Sequence, residues 1–132
     1  MKDTYIFPAV LTFADNGIAI EFPDLPGCLP CAETPEEAAK NAKEAMGLHI
    51  FGMEKDNEPI PTPTDISRLK CAENEMLLMV EAFMPPIRDR LSNRFVKKTL
   101  SIPRWLNAEA ERAGVNFSQV LQGALKDYLH IA

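Results

Sequence analysis

Apolar and polar residues alternate near the start of the chain with the two-residue period of β-strands. Tyr5 to Phe13 is rich in aromatic and β-branched side chains, and Ile18 to Phe22 alternates in the same way, so both segments are predicted as strands. Asp15-Asn16-Gly17 between them is typical of a hairpin turn, because Asn and Gly tolerate positive φ angles. A short third strand is predicted around residues 29–32, after a loop with two prolines that cannot continue the sheet.

The spacing then changes to that of a helix. Thr34 is a good N-cap, Pro35 suits the first helical position, and Glu37 can complete a capping box. The helix is expected to end near Asp56-Asn57, before a stretch with three prolines. The following side chains fall at helical spacing and predict the face that packs on the sheet: Ala38, Ala39, Ala42, Ala45, Met46, His49, Ile50 and Met53.

Met76 to Val80 is a nearly unbroken apolar run. Such a run favours a central strand that is covered on both faces. The order of elements up to this point is therefore β-β-β-α-β, which predicts an α+β fold with one helix on one sheet.

A different pattern begins after Pro85-Pro86. Residues 96–102 are predicted as a strand with a mixed face (Lys98, Leu100, Ile102) and a polar face (Lys97, Thr99, Ser101). Pro103 ends this strand, and a helix is predicted from Arg104 to Ala113, with Gly114 at its C-terminus. A second helix is predicted to start at Asn116, with Gln119 completing an Asn-x-x-Gln box.

One strand and two short helices cannot bury their apolar faces within a single copy, and a lone strand leaves its backbone groups unpaired. Two copies that pair their strands antiparallel about a two-fold axis solve both problems. Four helices would then enclose Leu100, Ile102, Val120 and Leu125. The polar strand face would point outward twice, as a two-stranded ribbon that fits the major groove of DNA.

Charge divides the chain in the same place. Residues 1–87 carry six Lys/Arg and fifteen Asp/Glu, a net charge of −9, whereas residues 88–132 carry eight and four, a net charge of +4. The basic end suits a phosphate backbone, and the acidic part suits a basic partner. We expect a cytoplasmic protein without a membrane anchor, because Met1-Lys2-Asp3 does not begin a signal peptide and no apolar run approaches about 20 residues.

Two groups of residues are candidates for metal or redox chemistry. Cys28 and Cys31 have the spacing of half a zinc knuckle or of a redox pair, but no second pair accompanies them. Asp15, Glu21 and Asp24 are candidates for a nuclease-like metal site, although turns and prolines separate them. We therefore expect no metal, no cofactor and no catalytic residue, with reduced cysteines. A metal-dependent nuclease, and a stand-alone transcription regulator with a protein- or ligand-binding N-terminal domain, stay open as alternatives.

Two family resemblances cover nearly the whole chain. Val96 to Leu129 resembles a ribbon-helix-helix domain of the Arc/MetJ type, through its alternating strand, Pro103, the Gly114 turn and the Asn116-Phe117-Ser118 helix start. The N-terminal part resembles the HicB antitoxin family. The matching segments are Tyr5-Ile6-Phe7-Pro8-Ala9, Gly17, Phe22-Pro23-Asp24-Leu25-Pro26-Gly27-Cys28, Thr34-Pro35-Glu36-Glu37-Ala38 and Glu58-Pro59-Ile60-Pro61.

The resemblances imply a function for each part. Residues 1–84 would form a partial ribonuclease H-like domain that binds and neutralises a HicA-type mRNA-cleaving toxin, residues 85–93 a linker, and residues 94–132 the ribbon-helix-helix domain. That domain would dimerise, with tetramers left open, and repress its operon by binding operator DNA.

The resemblances also imply residue roles. Lys97, Thr99 and Ser101 would face bases. Lys98, Arg94 and the amides of Asn116 and Phe117 would approach phosphates, although Lys98 takes a core-facing position that is commonly apolar. The loop Asp24, Leu25, Pro26 and Gly27 is the hypothesis for the toxin contact.

Overall fold

A computed structural model describes residues 1–131 of the chain, which divide into two compact units: Met1–Arg94 and a second unit that begins at Phe95. Within residues 1–131, no helix has both the length and the apolar content needed to cross a membrane. The first unit contains the strands β1 (Thr4–Ala14), β2 (Gly17–Glu21), β3 (Cys31–Ala32) and β4 (Glu75–Phe83), and the helices α1 (Pro35–Lys55) and α2 (Met84–Leu91). The predicted β-β-β-α-β order is confirmed up to β4.

The four strands form one antiparallel sheet in the order β3-β2-β1-β4. The prediction that residues 76–80 form a central strand is wrong, because β4 lies at the edge of this sheet and pairs only with β1. Met76 and Met79 are exposed although they belong to the apolar run. The run therefore has one face that contributes Val80 and Leu78 to the core, whereas Met79 on the other face is exposed.

The core lies between one face of the sheet and α1. Alternate residues of β1 point toward the helix, and small side chains on α1 allow it to lie close to the strands. The largest contributions come from aromatic and long aliphatic side chains of both layers, and the fully buried members include Phe7, Ala9, Ile20, Phe22, Leu25, Ala38, Ala42, Met46, Ile50, Ala82 and Met84. The predicted apolar stripe of α1 is confirmed at its central positions.

The start of α1 is close to the prediction. The backbone amide of Glu37 donates to the Thr34 hydroxyl oxygen at 3.2 Å, and Pro35 occupies the first turn. The Glu37 carboxylate, however, accepts a hydrogen bond at 3.1 Å from the amide of Glu33. The reciprocal bond of the capping box is therefore made one residue earlier than the sequence pattern predicts.

Pro8 lies inside β1, an interior strand, where a missing backbone N–H should interrupt the ladder. The bonds from Phe13 N to Asn74 O (2.8 Å) and from Met84 N to Asp3 O (2.7 Å) show that odd-numbered residues of β1 face β4. The nitrogen of Pro8 therefore faces the β2 side, and β2 pairs with β1 only from Val10 onward. No ladder hydrogen bond is lost at Pro8.

Helix α2 occupies most of residues 85–93, which the sequence led us to expect as a linker. Pro85 and Pro86 fall in its first turn, where backbone amides have no helical partner. Arg88 fastens this helix to the end of α1, since its Nε and Nη2 atoms lie 3.0 Å and 2.7 Å from the two carboxylate oxygens of Glu54. The Nη1 atom lies 3.0 Å from Asp3 Oδ1. Hydrogen bonds to Glu54 are the main reason that the pKa of Arg88 is raised.

Candidate functional site

The second unit consists of an irregular segment and two helices. Residues 95–103 have no regular secondary structure, so the strand predicted at residues 96–102 is not formed in the single chain. Helices α3 (Arg104–Arg112) and α4 (Phe117–Leu129) follow as predicted. Gly114 between them has φ +71°, and the side chain of Asn116 accepts a 3.1 Å hydrogen bond from the Gln119 amide.

None of residues 95–131 is buried. The four apolar side chains predicted to form a dimer core are all exposed in the single chain: Leu100 59%, Val120 58%, Leu125 49% and Ile102 45%. Aromatic side chains of this unit, such as Trp105 and Tyr128, are also exposed. Exposed apolar side chains in this number are typical of a surface that binds another chain.

The two predicted faces of residues 97–102 differ in their surroundings. Lys98, Leu100 and Ile102 line a groove of about 770 Å³ together with residues of α4, among them Val120, Leu121 and Ala124. The alternate residues are exposed and do not line this groove: Lys97, Thr99 and Ser101. The segment thus keeps the sidedness that its alternation predicts, although it makes no strand.

The remaining residues predicted to approach DNA lie in three places. Asn116 uses its side chain to cap α4, and Phe117 begins that helix with its side chain on the groove. Lys98 also lines the groove. Arg94 is exposed and is the last residue of the N-terminal unit.

Two of the four residues in the predicted toxin-binding loop have structural roles. Asp24 accepts hydrogen bonds from the amide (2.9 Å) and the hydroxyl of Thr64, which fastens the loop to the segment after α1. Leu25 is 1% exposed and belongs to the core. Only Pro26 and Gly27 are exposed, and Gly27 has φ +89°.

The residues considered for metal or redox chemistry are dispersed. All three cysteines are free thiols; Cys28 is buried and burial raises its pKa, whereas Cys31 and Cys71 are exposed. Across residues 1–131 the structure assembles no group of three His, Cys, Asp or Glu side chains able to hold a metal ion. Asp15 lies in the hairpin turn and Asp24 is bonded to Thr64.

The sequence model of the family described as the HicB-like antitoxin of bacterial toxin-antitoxin systems matches residues 7–123. This match covers most of both units. The chain therefore belongs to the HicB-like antitoxin family.

The chain is also similar to individual proteins and solved structures. The chain is 36% identical to an uncharacterized 14.9 kDa protein of Haemophilus phage HP1 over 63 residues, which are 48% of this chain and about half (47%) of the phage protein. It shares 30% identity with a chain of a HicA3 and HicB3 toxin-antitoxin complex, over 59% of this chain and 98% of that one, with a TM-score of 0.51. A chain of a toxin-antitoxin complex from Streptococcus pneumoniae has the same fold, with a TM-score of 0.62 and 24% identity over 95% of this chain and 99% of that one.

Proposed function

We propose that this chain is an antitoxin with two activities. Its N-terminal unit binds and neutralises a HicA-like, mRNA-cleaving toxin, and its C-terminal unit binds operator DNA as a homodimer and represses the operon that encodes the pair. Membership of the antitoxin family supports the first activity. The similarity to a chain from a HicA3 and HicB3 complex supports a partner of the same type. The partial ribonuclease H-like fold of the N-terminal unit belongs to the same proposal.

The observation that carries the second activity is the absence of any buried residue within residues 95–131. A second copy can supply both a strand to pair with residues 96–102 and helices to cover Leu100 and Ile102. The groove that these two residues line with Val120 is the surface that would accept the partner copy. The resulting dimer would be a ribbon-helix-helix domain.

In this dimer the polar face of each strand would point into the major groove. Lys97, Thr99 and Ser101 are exposed and lie away from the groove that the partner would fill. Their short polar and cationic side chains can read base edges. Phosphate contacts would come from Arg94, from Lys98 and from the amides of Asn116 and Phe117 at the N-terminus of α4.

The charge of the N-terminal unit supports a basic partner. Residues 1–94 carry nine Lys/Arg and sixteen Asp/Glu, a net charge of −7. A toxin that holds RNA must present cations, and complementary charge accelerates and orients its association with an acidic surface. In the loop at residues 24–27, which the family resemblance suggests for this contact, only Pro26 and Gly27 are exposed, since Asp24 and Leu25 have structural roles.

A gel-shift experiment on the DNA upstream of the chain's own gene tests the second activity. Lys97→Ala should weaken binding and lower its salt dependence, because the variant lacks a cation that lies at the DNA surface and releases counterions. Thr99→Ala should mainly relax base preference. Lys126→Ala, which removes the same charge from the end of α4, is the matched control and should bind like the wild type. If the Lys97 and Thr99 variants both bind like the wild type, residues 97–101 do not read DNA.

The dimer and the toxin are tested separately. Sedimentation equilibrium should give a dimer for the wild type and a monomer for Leu100→Lys, which places a charge in the proposed interface.

Co-expression with a small basic protein encoded beside the chain should give a purified complex that is inactive on RNA. The lack of such a neighbour would favour a stand-alone regulator. A monomeric wild-type chain would contradict the ribbon-helix-helix proposal.

A further inference from the structure

The outer edge of β4 is unpaired. Even-numbered residues of β4 bond to β1, as the hydrogen bonds at Asn74 and Met84 show, so the backbone groups of Leu77, Met79 and Glu81 point away from the sheet. In the part of the chain that the structure describes, no segment pairs with this edge. A long free edge is a template for a strand from another chain.

An exposed apolar patch adjoins this edge on the face of the sheet opposite α1. Met79, Glu81 and Phe83 alternate along β4 on this face, and Ile6 of β1 lies directly across from Glu81. Ile6 is 46% exposed, Met79 47% and Phe83 52%. Because side chains across an antiparallel pair lie about 5 Å apart, Ile6 is a neighbour of Glu81 on this face, and Met79 and Phe83 flank Glu81 along β4.

The charged strand residues of this face are all acidic. Glu75, Glu81 and Glu21 lie on it, and none of the strand residues that share it is a lysine or an arginine. A second copy of the chain would bring two units of net charge −7 together. A basic partner whose strand alternates apolar residues with Lys or Arg complements both the patch and its carboxylates.

We propose that the basic toxin docks here, by adding an edge strand of its own to β4 and covering the patch formed by Ile6, Met79, Glu81 and Phe83. The backbone edge would supply the hydrogen bonds. The patch would supply the specificity for a strand that carries a cation at its centre. This inference deepens the proposed function, which supplies the identity of the partner. It locates the contact on β4 instead of the loop at residues 24–27.

Calorimetric titration of the full chain with the purified toxin encoded beside it tests the patch. Glu81→Lys should weaken binding by about thirtyfold or more, because the partner's cation would meet a like charge inside the interface. Glu44→Lys makes the same change of charge on α1, on the other side of the sheet, and should alter affinity by less than about threefold. Equal affinities for both variants would overturn the docking site.

Met79→Pro tests the backbone edge. The amide of Met79 takes no part in the β1–β4 ladder, so proline should remove only the outward donor and block strand addition. We expect loss of toxin binding with an unchanged circular dichroism spectrum. If this variant does not fold, Met79→Lys, which keeps the backbone donor and adds a cation to an exposed position, should show the same loss. Wild-type affinity in whichever variant folds would overturn the proposal.

Amide hydrogen exchange distinguishes this proposal from the function on which it rests. In the free chain the amides of Leu77, Met79 and Glu81 should exchange fast and those of Leu78 and Val80 slowly, and toxin should protect the first set. A complex that forms but protects residues 24–27 instead would leave the antitoxin function standing and overturn the β4 site. The lack of any complex would overturn both. Protection of β4 that grows with chain concentration before toxin is added would identify a second copy as the occupant and contradict the proposal.

Discussion

The ion pairs of Arg88 should contribute unequally to stability, and the structure ranks them. The Glu54 side chain is 6% exposed and receives two hydrogen bonds from the guanidinium, whereas the Asp3 side chain is 67% exposed and receives one. Arg88→Met leaves the Glu54 carboxylate desolvated without its cation. Loss of one partner of a buried pair costs about 3–5 kcal/mol. Because the Arg88 side chain is 20% exposed, we expect Arg88→Met to lower the free energy of unfolding by about 3 kcal/mol, the lower end of this range.

Two further variants isolate the cause. Asp3→Asn should lower the free energy of unfolding by less than about 1 kcal/mol, as for other exposed ion pairs. The double variant Glu54→Gln with Arg88→Met should be more stable than Arg88→Met alone, because it leaves no unpaired charge in the interior.

Urea denaturation followed by circular dichroism measures these differences, at one fixed protein concentration because dimerisation would contribute to apparent stability. The reasoning is refuted if Arg88→Met lowers the free energy of unfolding by less than about 1 kcal/mol. It is also refuted if Asp3→Asn is as destabilising as Arg88→Met.

Three other predictions concern single positions. Gly17→Ala should destabilise the chain more than Gly27→Ala in thermal unfolding, because both have positive φ but only at Gly17 would the new Cβ lie 2.9 Å from a carbonyl oxygen of β3. Asn116→Ala should cost about 1 kcal/mol through loss of the α4 N-cap, with Asn116→Ser nearly neutral. Burial raises the pKa of the Cys28 thiol above that of an exposed thiol, so the thiol ionises first in the unfolded chain and stability should fall as pH rises through the range in which exposed thiols ionise. Cys28→Ala should make this decline of stability with pH less steep. An unchanged pH profile of stability in the variant would contradict the prediction.

Local pattern was sufficient for the elements whose signals are short in sequence. The Asp15-Asn16-Gly17 turn, the Thr34 cap with Pro35, and the Asn116 cap all depend on neighbours within four residues, and each lies where the sequence predicts it. The alternation of residues 97–102 predicted two faces, and the three residues of one face, Lys98, Leu100 and Ile102, line a groove with α4.

Position within the sheet was not predictable from local pattern. The composition of the run Met76 to Val80 is compatible with an edge strand as well as with a central strand. Only the strand order shows that the run lies at an edge of the sheet. Helix α2 was missed because two prolines are typical of a linker, and the interaction that holds it, between Arg88 and Glu54, joins residues 34 positions apart. The roles of Asp24 and Leu25 depend on Thr64 and on the core, which no short segment reveals.

The sequence by itself determined the family, the two-part organisation of charge, and the incompleteness of the C-terminal segment, because composition, caps and alternation are local properties of the chain. Only the tertiary structure decided which strand has a free edge, which acidic residues share a face with exposed apolar side chains, and which loop residues are already bonded. These properties arise when residues distant in sequence pack together, since burial and pairing depend on neighbours in space.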